Sequence, residues 1–180
     1  MRGGSLKKFR LLLLDTNVVI YLFELGIWDK FVESCDVHME KTIIEQCKYY
    51  EDDNGDRKPI DLSAYVKRSD IVEETTELTE LVSLRDKFGS HIIERLDHGE
   101  AESLALLTER NPKFLICSSD PIVFRVLAAL GMSEQGLALE TVLKEIGLRR
   151  PVNIQYTESY RKAYLQRGFQ EGLQGLASLK

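Results

Sequence analysis

Residues 9–25 read FRLLLLDTNVVIYLFEL, and their pattern decides the fold class. The run from Phe9 to Leu14 is short, continuous and nearly all apolar, the pattern of a strand buried on both faces, which occurs where helices cover both sides of a parallel sheet. The run from Val18 to Leu25 is again apolar but long enough for a helix, with Thr16 or Asn17 as its cap and Gly26 as its stop. Between the two stands one acid, Asp15.

The rest of the chain repeats this alternation. A second helix, about IWDKFVES, leads into the short strand DVHM; TIIEQCKYY reads as helical and ends in the loop EDDNGDRKP, while residues 60–74 have no clear pattern. Helices follow at TELTELVSLRDKF and at GEAESLALLTER, the latter broken by Asn111-Pro112. KFLIC is a second buried strand, and SSDPIVFRVLAALG carries cap residues, Pro at the first helical position and a terminal Gly. LALETVLKEIGL precedes Arg149-Arg150-Pro151. Strands alternating with helices predict an α/β protein with a mostly parallel sheet. The expected organisation is a body over residues 1–150 and a basic, Tyr-bearing extension over 151–180 that is not an independent domain.

With 180 residues, 43% apolar and 29% charged, the chain has the profile of one globular domain rather than a disordered or repetitive protein. No apolar run approaches the roughly 20 residues that cross a bilayer, and the basic start meets Asp15 after four leucines with no small-residue cleavage site, so a cytoplasmic protein is expected. Cys35, Cys47 and Cys117 are odd in number and widely spaced, which predicts buried thiols rather than disulfides or a zinc site. The net charge of −5 is uneven: residues 1–10 hold four basic residues and no acid, 149–180 hold six against two, and 11–148 stand at −13. An acidic body with basic ends can hold a polyanion when a metal cation neutralises its carboxylates.

Asp15 and Asp120 each follow a buried strand and precede a helix, which places them at the carboxyl edge of an open α/β sheet, where ligands bind. Glu45 in TIIEQC and Glu102 in GEAESLALL are acids in apolar surroundings. Four carboxylates in one cleft repel one another unless a cation joins them, and oxygen-only ligation suits Mg2+ or Mn2+. Such ions polarise phosphoryl oxygens and generate hydroxide, so the implied chemistry is phosphodiester hydrolysis.

These pieces, LLLLDTNVVI, VHMEKTIIEQC, LDHGEAESLALL and FLICSSD before a helix, stand in the order in which the PIN-domain family of metal-dependent ribonucleases carries them. The chain resembles that family over roughly residues 10–148. The resemblance implies a three-layer α/β/α sandwich around a five-stranded, mostly parallel sheet, here with a C-terminal helical extension. It also implies an RNA-cleaving enzyme whose catalytic and metal-ligating acids are Asp15, Glu45, Glu102 and Asp120, with Ser118 or Ser119 as the polar residue near the last acid; Asn17 and Glu100, the latter a first-turn charge or outer-shell residue, are read as supporting residues beside them. Mg2+ or Mn2+ is the implied cofactor and RNA the implied substrate. Because the family includes toxins of toxin-antitoxin pairs, an antitoxin protein is an implied partner. The acidic loop at 51–56 and the thirty residues beyond Pro151 depart from a minimal member.

Each acid has a simpler reading beside this one. Asp15 and Asp120 suit helix N-caps, and Thr42 to Glu45 fits a capping box. Glu100 and Glu102 lie about 200° apart on a helix, so one of them faces the cleft, and Glu102 is the one at the family position; Asp97 reads as a loop residue. His38, His91 and His98 lack metal-site spacing. In the tail, Tyr156, Tyr160 and Tyr164 recur every four residues beside Arg161, Lys162 and Arg167; with Arg149 and Arg150 they are candidates for binding RNA, or for packing against the body or a second copy of the chain. Two alternatives to a nuclease remain: a PIN-like binding module without activity, and a haloacid-dehalogenase-like phosphatase, whose second acid is replaced here by Asn17.

Overall fold

In the computed structural model, which describes residues 9–88, 94–110 and 113–177, strand β1 (Phe9–Leu14) is the central element. Its side chains alternate across the sheet: Leu12 and Leu14 enter one apolar cluster and Leu13 the other, all fully buried. The first cluster is completed by α1 (Thr16–Glu24), α2 (Trp28–Ser34) and α8 (Leu139–Glu145), the second by α5 (Leu78–Phe88), α6 (His98–Ala105) and α7 (Pro121–Ala129). Two helical layers therefore enclose one sheet, the three-layer α/β/α arrangement expected from a strand apolar on both faces.

The sheet has five strands in the order β5-β2-β1-β6-β7, with β2 at Cys35–Glu40, β5 at Ile71–Glu74, β6 at Leu115–Cys117 and β7 at Gly136–Leu137. Every pairing is parallel; Leu12 lies opposite Val37 on one side and Leu115 on the other. Strand order reverses between β1 and β6, the position in such sheets where ligand crevices form beyond the carboxyl ends of the strands.

Two stretches differ from the sequence expectation. The helix expected through Tyr50 ends early: α3 spans Lys41–Gln46, and Tyr49–Glu51 (β3) pairs antiparallel with Arg57–Pro59 (β4). The intervening loop closes because Asp52 accepts from the Asn54 and Asp56 N–H groups at 3.0 Å, with Gly55 at φ +80°. The unassigned segment after it holds α4 (Leu62–Lys67), capped by Asp61, and the edge strand β5, where Ile71 is buried and Val72 exposed. The helix read through Arg110 is α-helical only to Ala105 and continues as a π-helical turn, Leu106–Arg110. The Asn111-Pro112 break and His91 lie outside the described residues.

Beyond Pro151 the chain packs onto the body. A 3-10 turn at Ile154–Tyr156 buries Tyr156 in the first apolar cluster, and α9 (Glu158–Ala177) runs along α7. The close approach has a clear cause at Gly168, where a Cβ would stand 2.3 Å from the Arg125 carbonyl oxygen. Among the described residues no helix is long and apolar enough to cross a membrane.

Candidate active site

Asp15 anchors the crevice. It caps α1, its Oδ1 accepting the Val18 N–H at 2.7 Å, and its own N–H donates to the Cys117 carbonyl, which extends the β1–β6 ladder by one bond. Its Oδ2 accepts the Ser118 hydroxyl at 2.5 Å and the Ser119 N–H at 3.0 Å. The carboxylate is 4% exposed and lies directly beyond the strand pair that the topology leaves open. Burial pushes its pKa up, against the three hydrogen bonds that favour the charged form, and the Asp97 charge adds to the rise.

Asp120 is held in the same way on the opposite wall. Its N–H donates to Ser118 Oγ at 3.0 Å and its Oδ1 accepts the Ile122 N–H at 2.7 Å, so it caps α7 with Pro121 at the first helical position. For Asp15 and Asp120 the cap and the site are compatible, because the cap fixes the carboxylate at the head of its helix.

The acid that joins them is Glu100, which the sequence assigned a supporting role. Asp97 caps α6 by accepting the Glu100 N–H at 2.8 Å, and Glu100 Oε2 accepts the Asp97 N–H at 3.0 Å in return. The capping box turns Glu100 back over the start of its helix, leaving it 4% exposed. Burial lifts its pKa to about 8, followed by the charges of Asp120, Asp97 and Asp15, against the Asp97 backbone hydrogen bond. These four carboxylates therefore share one field. Gly99 lets α6 come this close, since a Cβ there would stand 2.6 Å from Ile43 Cγ1.

Glu102, expected in the crevice, faces elsewhere. Two residues beyond Glu100 the helix has turned about 200°, and Glu102 joins Glu40, whose pKa is raised to about 7 by burial and by the Glu102 and Glu74 charges, against the Thr76 hydrogen bond. Glu102 is 12% exposed, its Oε1 3.7 Å from His98 Nδ1. Thr76 Oγ lies 2.5 Å from Glu40 Oε1 and 3.1 Å from the Glu102 carbonyl. Glu40 and Glu74 end the paired strands β2 and β5 in register; Glu74 meets His38 Nδ1 at 2.7 Å and Arg110 at 3.8 Å, and Arg110 also binds Glu80 through two nitrogens.

Glu45 takes no part in either group. Helix α3 begins at Lys41, Ile43 and Ile44 take its inward face, and Glu45 points to solvent with 64% of its side chain exposed, 3.9 Å from Lys41. Its capping-box reading fails too, because the helix starts one residue before Thr42 and no side chain caps it.

The fourth wall comes from the extension. Tyr156 stacks on Tyr21 of α1 at 4.1 Å and 6°, and its hydroxyl donates to the Asn17 carbonyl at 3.3 Å. Its phenol pKa is raised by burial and then by the Asp15 charge, which places this ring beside the anchor acid. Nothing in the local sequence marks it, since its role depends on the chain returning over α1. Asn17 itself is exposed, and Ser118 and Ser119 are buried as holders of Asp15. Of the basic candidates, Arg150 donates to the Leu25 carbonyl at the far end of α1, about 14 Å from Asp15 for a nine-residue helix, and its neighbour Arg149 is exposed. Arg161 and Lys162 pair with Glu158, while Arg167 covers the Tyr164 ring at 4.7 Å.

The four acids offer oxygen donors, a set suited to a hard divalent cation. Among the described residues the hydrogen bonds of Asp97, Glu100 and Asp120 each engage one carboxylate oxygen and leave the other free. In the same residues no three such side chains close around a common point, so binding an ion requires those free oxygens to converge. No family model matches the chain, and neither a curated protein nor a solved structure matches it.

Proposed function

We propose that this chain is a Mg2+- or Mn2+-dependent endoribonuclease of the PIN-domain kind, with Asp15, Asp97, Glu100 and Asp120 as its ligand set. The observation that carries the reading is a charge imbalance: four carboxylates share the crevice at the strand-order reversal, and among the described residues no Lys, Arg or His pairs with any of them. Uncompensated acids at that position are expensive unless protonated or joined by a cation. The set differs from the one the family resemblance implies, with Asp97 and Glu100 in place of Glu45 and Glu102.

Each side chain has a defined part. Ser118, Ser119 and the Val18 N–H keep Asp15 fixed and oppose the rise in pKa that burial imposes, and the α7 cap fixes Asp120 opposite it. Glu100, with a pKa of about 8, holds a proton at neutral pH when no cation is near and gives it up on ligation. When bound, the divalent ion supplies phosphoryl polarisation and an activated water. The phosphatase alternative has less support, because the residue two after Asp15 is the exposed Asn17 rather than an acid.

The test is cleavage of a fluorescent single-stranded RNA by the purified chain. Cleavage is expected with Mg2+ or Mn2+ and not in EDTA, with Asp15→Asn lowering the rate at least about a hundredfold while its circular dichroism is unchanged. No cleavage with either ion, or equal cleavage by the variant, overturns the reading.

A further inference from the structure

Helices α7 and α9 run in the same direction: a Cβ at Gly168 meets the Arg125 backbone, and one at Gly172 meets Ala129, four residues on in both helices. Stepping back one turn sets residue 164 beside Pro121, and a second turn sets residue 160 over the 118–120 segment. The side chains agree with this register, since the Asp120 carboxylate is among the charges acting on the Tyr160 phenol. From the mouth of the crevice outward, α9 thus presents Tyr160, then Tyr164 at a ring-centroid distance of 4.6 Å, then the Arg167 guanidinium 4.7 Å over Tyr164. Both rings are partly exposed. Among the described residues Arg167 has no carboxylate partner, unlike Arg125, Arg161 and Lys162.

Resting on the nuclease reading above, we propose that Tyr160, Tyr164 and Arg167 form a stacking subsite for single-stranded RNA, holding the nucleotides next to the one whose phosphate sits at Asp120. Aromatic faces accept any base, and a cation that among the described residues has no carboxylate partner meets the phosphate between stacked bases. Charge complementarity favours this occupant. The crevice is acidic, so affinity for a polyanion must come from beside it, and this row adjoins Asp120 with Arg167, which among the described residues has no carboxylate partner, at its outer end. The subsite selects unpaired strands, because a base within a duplex offers no free face to a tyrosine.

The experiment is fluorescence-anisotropy binding of a labelled RNA hexanucleotide to the full chain in EDTA at low salt, where cleavage is off. Tyr160→Leu and Tyr164→Leu should each weaken binding about tenfold, while Tyr160→Phe and Tyr164→Phe stay within about twofold because the ring is kept. A hexamer abasic at every position, with the same phosphates, should bind as weakly as the Leu variants, and Arg167→Gln should flatten the slope of log K against log salt by about 0.7. Leu variants that bind like the Phe variants, or a wild type that binds the abasic strand as well as the RNA, overturn the subsite. Base-dependent binding without any cleavage in Mg2+ or Mn2+ supports the subsite while removing the nuclease reading. Cleavage with identical KM in the Leu and Phe variants removes the subsite alone.

Discussion

Two groups of carboxylates lie on the same edge of one sheet, and they differ in what neutralises them. Over β2 and β5, Glu40, Glu74 and Glu102 stand among Arg110, His38 and His98, with Thr76 bridging the first and last. Over β1 and β6, Asp15, Asp97, Glu100 and Asp120 each receive backbone N–H groups, and Asp15 also the Ser118 hydroxyl, but, among the described residues, no basic side chain. Among the described residues the first group contains one permanent cation, Arg110, beside Glu74, although the buried Glu102 Oε2 has no hydrogen-bond partner there; the second is held by neutral donors alone. The difference separates an element of architecture from a candidate site more sharply than the count of acids does.

The largest effect that tests this contrast is on activity. Glu100→Gln should lower RNA cleavage about a hundredfold or more, while Glu102→Gln, two residues away on the same helix, should change it less than about threefold. Equal losses in steady-state assays would merge the two groups into one site.

Next comes metal-linked stability. Glu100 has a folded pKa near 8 against 4.5 unfolded, so the folded state binds more protons; its stabilising contribution is complete below about pH 4.5 and is lost as pH rises through 8. In EDTA, thermal denaturation should therefore show Tm falling between pH 6 and pH 8.5, and Glu100→Gln should flatten that fall. Mn2+ at a hundred times its Kd should restore about 2.7 kcal/mol, or roughly 5–10 °C. A Tm indifferent to Mn2+ in wild type would remove the case for ligation.

The third expectation reverses the roles. Arg110→Ala should destabilise the chain by about 1–2 kcal/mol, because Glu74 and Glu80 lose their shared cation, and leave cleavage near wild type. Chemical denaturation alongside the RNA assay measures both, and a loss of activity without loss of stability would contradict the division. The smallest effect is at Glu40: above pH 7, Glu40→Gln should raise Tm by roughly 3 °C, since it removes a buried charge while the amide oxygen still accepts from Thr76, and below pH 5 the gain should vanish. A gain that persists at pH 4.5 would assign it to packing instead.

The parts of this molecule legible from sequence are those where local pattern and tertiary role coincide. LLLLD and SSDPIVF each combine a buried strand or cap with a helix start, so Asp15 and Asp120 are readable as both caps and crevice residues. Strand β5 is not readable, because an edge strand of four residues with one buried apolar side chain has no period to detect. Glu45 and Glu102 mislead for a shared reason: an acid beside apolar residues on a helix turns outward or sideways whenever those neighbours claim the inward face. Glu100 was recoverable from Asp97 three positions earlier, since a capping box aims the glutamate backward. Tyr156 was not, as only the return of the chain over α1 brings it to Asp15.

The Ser118–Asp15 hydrogen bond joins residues 103 apart in sequence, and the Tyr156–Asn17 bond joins residues 139 apart. Closing loops of that length costs entropy before any contact repays it. On a ribosome, Asp15 is made first and must wait for every other wall of the crevice. A growing chain that stops anywhere before residue 156 carries the anchor acid without its enclosure. Enclosure of Asp15 is thereby tied to the order of synthesis, and a truncated product carries an incomplete crevice.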